Sequence, residues 1–204
     1  VTALTVDAQS NIATGNITGL AAGTKVTVKG AGTANIGTLQ ATNVTEVDAS
    51  ANTGGVTATL NNVTGLKFTG GAGNDVLTTG AVLAGAGLVD AGAGTGDRLV
   101  VAATAHVTAD AGKLYKNFEQ LQVNDGVSVD VTQLATTNTI DAIRINGANS
   151  STGVTNLNAT QAGNVTIVAA NATGAITIGV KDATSAGQID TVKANLINTN
   201  ATGT

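Results

Sequence analysis

The chain contains no cysteine, proline, methionine or tryptophan, and its 204 residues include one tyrosine, two phenylalanines and one histidine. Without cysteine there are no disulfides, thiolate metal sites or cysteine nucleophiles. With aromatics at 1%, the core is expected to consist of small aliphatic layers without large rings. Charge is sparse at 11% with a net charge of −4, and no basic run occurs, which argues against nucleic acid as a partner. No stretch of about 18 consecutive apolar residues exists, so no transmembrane segment is expected. The chain begins at Val1 without a signal-like segment, and reads as an excised domain or a processed piece.

What is present is apolar and turn-rich. Hydrophobic residues make up 42%, and there are 27 glycines, about twice the usual ~7% share. Such a chain is not compositionally disordered, and its length allows one or two domains with a real core. Abundant Gly, Thr and Asn without Cys suits a bacterial protein exported to the outside of the cell.

Apolar clusters are short and alternate with Thr, Asn or Lys, as in Lys25-Val26-Thr27-Val28-Lys29, Val56-Thr57-Ala58-Thr59-Leu60 and Val127-Ser128-Val129-Asp130-Val131. Period-two alternation of β-branched residues bounded by Gly and Asn predicts short strands. Only residues 109–116 and 132–135 offer a turn or two of helix. Residues 31–39 and 146–153 read as exposed turns.

A repeat organises these strands. Stepping by 22 from Leu77 meets Leu99, Leu121, Ile143 and Val165, all aliphatic. Two residues on, Thr79 leads a second series, Val101, Val123, Ile145 and Ile167; two residues back, Asp75, Asp97, Glu119 and Asp141 form an acidic one. A weaker series joins Val107 to Val129 and Val154 to Ile176 at the same step, the pairs being offset by 25. Stacked coils of a solenoid put residues one period apart directly over one another, at about 4.8 Å; a β-sandwich imposes no such phase. The expected fold is therefore all-β: a right-handed parallel β-solenoid with coils of about 22 residues. It is expected to run continuously through residues 1–204, least regular over 1–50 and clearest over 66–180. About nine coils would make a rod roughly 40 Å long.

One segment carries recognisable chemistry. Gly70-Gly71-Ala72-Gly73-Asn74-Asp75-Val76-Leu77-Thr78 matches the calcium nonapeptide G-G-x-G-x-D-x-U-x in full. Calcium takes six to eight oxygens at about 2.3–2.6 Å. The glycines would adopt positive φ and turn carbonyls toward one point, and Asp75 would supply the anionic oxygen. A second turn, Gly92-Ala93-Gly94-Thr95-Gly96-Asp97, follows one period on. It places Gly70 over Gly92 and Asp75 over Asp97, with Asp90 at its entrance. The candidate metal ligands are thus Gly70, Gly71, Gly73, Asp75, Asp90, Gly92, Gly94 and Asp97, holding one or two Ca2+ ions.

This segment resembles the nonapeptide of repeats-in-toxin (RTX) proteins and, over roughly residues 44–180, the RTX-type surface-layer (S-layer) proteins of Gram-negative bacteria. Thr45-Glu46-Val47-Asp48-Ala49-Ser50 and Asn117-Phe118-Glu119-Gln120-Leu121-Gln122-Val123 are similar phrases. The resemblance implies type I secretion, calcium-dependent folding outside the cell, and self-assembly into a surface lattice. Any contact with lipopolysaccharide would belong to another part of the full chain. Two features depart from the family. Its tandem β-roll repeats every nine residues, whereas the period here is 22, and Ala91 stands where the second turn's first glycine would be.

Other candidates read as structural. Glu119 and Asp141 lack flanking glycines and are expected to be solvated carboxylates. Asn124-Asp125-Gly126 is a turn, and His106 has no Ser or Asp constellation with it. Lys113, Lys116 and Lys181 are surface charges blunting exposed edges. The triplets Asn43-Val44-Thr45, Asn62-Val63-Thr64 and Asn164-Val165-Thr166 follow from Asn and Thr abundance and are not read as glycosylation sites.

The function expected from the sequence is therefore structural: a calcium-stabilised segment of a secreted S-layer protein, on the extracellular surface. The alternative is a stalk or ligand-binding segment of an RTX adhesin. An ice-binding face would need a Thr-x-Thr ladder, and Thr57-Ala58-Thr59 and Thr137-Asn138-Thr139 are isolated. An enzyme is not expected, since aromatic platforms and clustered acid–base residues are scarce.

Overall fold

The computed structural model describes residues 1–40, 43–61, 65–170, 173–182 and 191–199. Asn62-Val63-Thr64 and part of the expected 1–204 solenoid lie outside them. Three parallel sheets carry the pairing. The largest stacks nine strands in chain order: Ile12–Ala13, Ala34–Thr38, Val56–Leu60, Val76–Thr79, Arg98–Val101, Gln120–Asn124, Ala142–Asn146, Val165–Ala169 and Ala194–Asn198. A second holds Ala3–Asp7, Thr24–Gly30, Val44–Asn52, Lys67–Thr69, Leu88–Asp90 and Tyr115–Lys116. Ser128–Asp130, Thr152–Leu157 and Ile176–Val180 form the third. The chain is an all-β parallel solenoid of about eight turns, with coils near 22 residues.

The repeat series are physical columns. Leu77, Leu99, Leu121, Ile143 and Val165 pair in succession across the nine-stranded sheet, and each is at most 2% exposed. Val101, Val123, Ile145 and Ile167 form the parallel column two residues on. Each fully buried aliphatic side chain contributes about 1.5–3 kcal/mol, and stacking like on like keeps the interior filled at every coil. On the outer face of the six-stranded sheet, Lys25, Glu46 and Lys67 alternate in sign along one column, and Lys25 pairs with Glu46 at 2.8 Å.

Several expectations are corrected. The core does hold rings: Phe68, Tyr115 and Phe118 are among its largest fully buried side chains. Phe68 and Tyr115 share an inner column with Val26, Val47 and Val89. Residues 31–39 are not an exposed turn, because Ala34–Thr38 is a strand with Ala34 and Ile36 wholly buried. Within 146–153, Thr152 and Gly153 belong to a strand and are buried. Residues 1–50 also stack in coils, Ala3 on Lys25 and Ile12 on Ala34, with register shifts at Thr24/Lys25, Thr27/Lys29 and Asn35/Gly37. Val154 pairs with Ile178 rather than Ile176, which lies on Thr152. Val107 lies outside the strands, while Val129 pairs with Val154 across the offset of 25.

Among the described residues helix is confined to single turns. Residues 109–116 contain the 3-10 turn Ala111–Leu114, and 132–135 adjoins Val131–Gln133. The one α-helical turn among the described residues, Ala159–Ala162, carries a capping box in which Asn158 and Gln161 bond reciprocally. No helix among the described residues is long and apolar enough to cross a membrane.

Candidate metal centre

The acidic series runs along the start of the nine-stranded sheet, and three of its members form a ladder between coils. Asp75 Oδ1 accepts the Val56 N–H at 2.6 Å. Asp97 Oδ1 accepts the Asp75 N–H at 2.6 Å, and Glu119 Oε2 accepts the Asp97 N–H at 2.9 Å. Each carboxylate thus satisfies a backbone donor of the coil before it, where the strand begins and the sheet ladder has not yet taken over. Glu119 is therefore not the solvated carboxylate expected; it is a rung. Asp141 is exposed, as expected.

The ladder leaves two oxygens over. Asp75 is 1% and Asp97 0% exposed, and Oδ2 of each is buried without a hydrogen-bond partner. Burial pushes the Asp75 carboxyl up to about 6, against the Val56 N–H bond and the nearby Gly71 N–H dipole, which hold it down. Burial likewise pushes Asp97 up to about 7; the Asp75 N–H opposes this, and the charges of Asp75, Glu119 and Asp90 add to it. Buried carboxylates with no cation beside them are costly. The two ion pairs of the described residues, Lys25–Glu46 and Lys29–Asp7, both lie elsewhere.

The glycines work by close approach more than by conformation. Of the five expected ligand glycines, only Gly92 has positive φ, at 93°. A Cβ at Gly70 would fall on the Ala91 carbonyl oxygen and against Asp75 Oδ2, and one at Gly71 on the Asn52 carbonyl. At Gly94 a Cβ would lie 2.5 and 2.7 Å from the Asp97 carboxylate oxygens and 2.7 Å from the Gly73 carbonyl. A Cβ at Gly73 would strike Gly55 of the coil before. Carboxylate and carbonyl oxygens therefore converge beside Gly70 and beside Gly94.

The stacking differs from the expected one by a residue. Thr69 pairs with Asp90, 21 positions on, whereas Val76 pairs with Arg98, 22 on. The second turn is longer by one residue, so Gly70 meets Ala91 as well as Gly92. Asp75 and Asp97 do lie on adjacent coils, as expected. Asp90 is turned to the turn itself, its Oδ1 accepting the Gly92 N–H at 3.0 Å and Asn117 Nδ2 at 2.7 Å. Asn117 reaches it from a left-handed conformation, φ 60°.

The donor chemistry fits a hard cation in kind: two unpartnered anionic oxygens and neighbouring carbonyls, with no nitrogen or sulfur ligand. Among the described residues no three His, Cys, Asp or Glu side chains gather as a metal-binding group, so carbonyls would have to complete any shell. No protein-family model matches this chain, and neither a curated protein nor a solved structure does.

Sequence reasoning missed Asn52, which is 1% exposed. Its Nδ2 donates to the Gly30 and Gly32 carbonyls, both at 3.0 Å, and its Oδ1 accepts the Gly55 N–H at 2.7 Å. The only signal was the turn phrase Asn52-Thr53-Gly54-Gly55. Among the weaker candidates, Asp125 Oδ1 accepts the Asn149 and Ser150 N–H groups and so ties its turn to the next coil. His106 Nδ1 lies 2.9 Å from the Thr79 hydroxyl, a satisfied structural histidine. Lys113 and Lys181 are exposed, and Lys116 lies on the last strand of the six-stranded sheet. Asn164 Nδ2 donates to the Asp141 carbonyl at 3.2 Å, which commits that amide to a neighbouring coil.

Proposed function

We propose that the chain is a structural, non-enzymatic segment of an extracellular bacterial surface layer, a rigid solenoid locked by calcium and used as a building block of a lattice. The observation that carries the cation is the pair of buried, unpartnered carboxylate oxygens on Asp75 and Asp97, each set beside a glycine whose missing side chain leaves it room. Asp75 and Asp97 would hold calcium with help from the Ala91 and Gly73 carbonyls; Asp90 and Asn117 would position the second turn. Calcium supplies the counter-charge that this interior lacks.

The protein's own part is linkage. A cation that binds the folded turns and not the extended chain adds its binding free energy to folding, about 2.7 kcal/mol at a hundredfold excess over the dissociation constant. Where calcium is scarce the chain stays less stable; where it is plentiful the turns close. The surface-layer role rests on the resemblance of residues 44–180, and the solenoid is compatible with it as a repeating, rod-like unit. Adding calcium to the full chain should raise its melting temperature and produce two-dimensional arrays by electron microscopy. Calcium-dependent melting without arrays would favour the adhesin stalk, and melting indifferent to calcium and chelator would remove the reading.

A further inference from the structure

The outward face of the nine-stranded sheet carries both arginines of the chain. Arg98, Gln120 and Ala142 form one outward column, and Val100, Gln122, Arg144 and Thr166 the next. The two guanidinium groups therefore stand diagonally across three successive coils. They flank a groove of about 110 Å³ whose lining includes Gln120 and Thr166.

Neither arginine is neutralised. No carboxylate oxygen lies within 4.0 Å of either in the described residues, where the ion pairs involve lysines alone. The acids adjoining Arg98 and Gln120 in sequence, Asp97 and Glu119, have turned to backbone N–H groups of the coils before them. Arg98 is half-buried, and Arg144 lines the same groove two coils on. Two like charges have thus been brought together, in a protein whose net charge is −4. Arg98 Nε is already committed to Gln120 Oε1 at 3.1 Å, which fixes the guanidinium plane and leaves its terminal N–H groups for a ligand.

From this we infer that Arg98 and Arg144 form a two-guanidinium site for a doubly charged oxyanion of the phosphate type. Charge complementarity selects the dianion. A planar fork presents parallel N–H donors that match tetrahedral oxyanion edges, which a lysine cannot do. The Thr166 hydroxyl and the Gln120 amide add neutral polar groups to the same groove. The ligand is either the free ion or a phosphate ester on a sugar.

Calorimetric titration of the full chain with sulfate and with glucose 1-phosphate, in calcium-containing buffer of low ionic strength, tests this independently of the metal centre. Binding should weaken about tenfold in R98Q and in R144Q and become undetectable in R98Q/R144Q. The R98K/R144K variant keeps both charges and the fold but lacks the forks, and should also bind at least about tenfold more weakly than wild type. Tighter binding of glucose 1-phosphate than of sulfate assigns the sugar ester, and equal binding the free ion. A wild-type chain that binds neither probe, or substituted chains that bind as wild type does, would overturn the assignment.

Discussion

Replacing Asp97 by Asn separates the two costs that meet at the acidic ladder. Asparagine keeps an oxygen for the Asp75 N–H, which Asp97 now accepts at 2.6 Å. It removes the buried charge, and the Gly73 carbonyl beside Gly94 offers its amide an acceptor. The Asp97 carboxyl stands at about 7 in the fold, against 3.8 for its ordinary value. A carboxyl whose proton is held more tightly when folded stabilises the fold fully below the unfolded value. That contribution is lost as pH rises through the folded one, here between about 4 and 7. The loss is about 4 kcal/mol once both states are ionised. Without calcium at pH above the window, D97N should therefore be more stable than the wild type, by up to about 10 °C in melting temperature for a chain of this length. With calcium the order should reverse, because the wild type gains its ion and D97N does not. Thermal melts of both proteins, with chelator and with calcium, on either side of the window, read all eight values. If D97N melts below wild type in chelator and still gains as much from calcium, the buried-charge reasoning is wrong.

Two further substitutions probe the frame around the ladder. Gly70→Ala should cost several kcal/mol by denaturant unfolding, of the order of a severe overpacking change, because its Cβ would land on the Ala91 carbonyl of the adjoining coil; the calcium response should fall with it. Asn52→Ala strands the Gly32 carbonyl and the Gly55 N–H, takes one of two donors from the Gly30 carbonyl, which keeps the Thr53 N–H, and should lower stability by about 2–4 kcal/mol. That loss should be the same with and without calcium, since Asn52 has no place in the ion's shell.

The columns were legible because stacking writes a fixed phase into the sequence. Leu77, Leu99, Leu121, Ile143 and Val165 needed no structure to be aligned. The phase fails where turns change length. Val47, Phe68, Val89 and Tyr115 share a column through steps of 21, 21 and 26, and a search at 22 passes over them. The rings are rare in the composition yet sit in the core, since scarcity says nothing about burial. The direction of a carboxylate is equally hidden. Asp75, Asp97 and Glu119 share one phase, but the sequence cannot tell an acid facing water from one capping a neighbour's N–H. Gly70, Gly71 and Gly73 were recognisable as a motif, while their shared reason, contact with the next or preceding coil, exists only after winding.

The same stacking that strengthens every apolar column works against the acidic one. Two ionised carboxylates one coil apart, about 4.8 Å, repel by on the order of 3 kcal/mol at an effective dielectric of about 20. Backbone N–H bonds from Val56, Asp75 and Asp97 offset part of this, but they occupy one oxygen of each acid and leave Asp75 Oδ2 and Asp97 Oδ2 bare. A fold built only for stability would have placed Asn at these positions, as it does at Asn52. Retaining Asp makes the turn conditional on a proton or a cation. Only the cation grows more effective as pH rises above the window in which the protons leave.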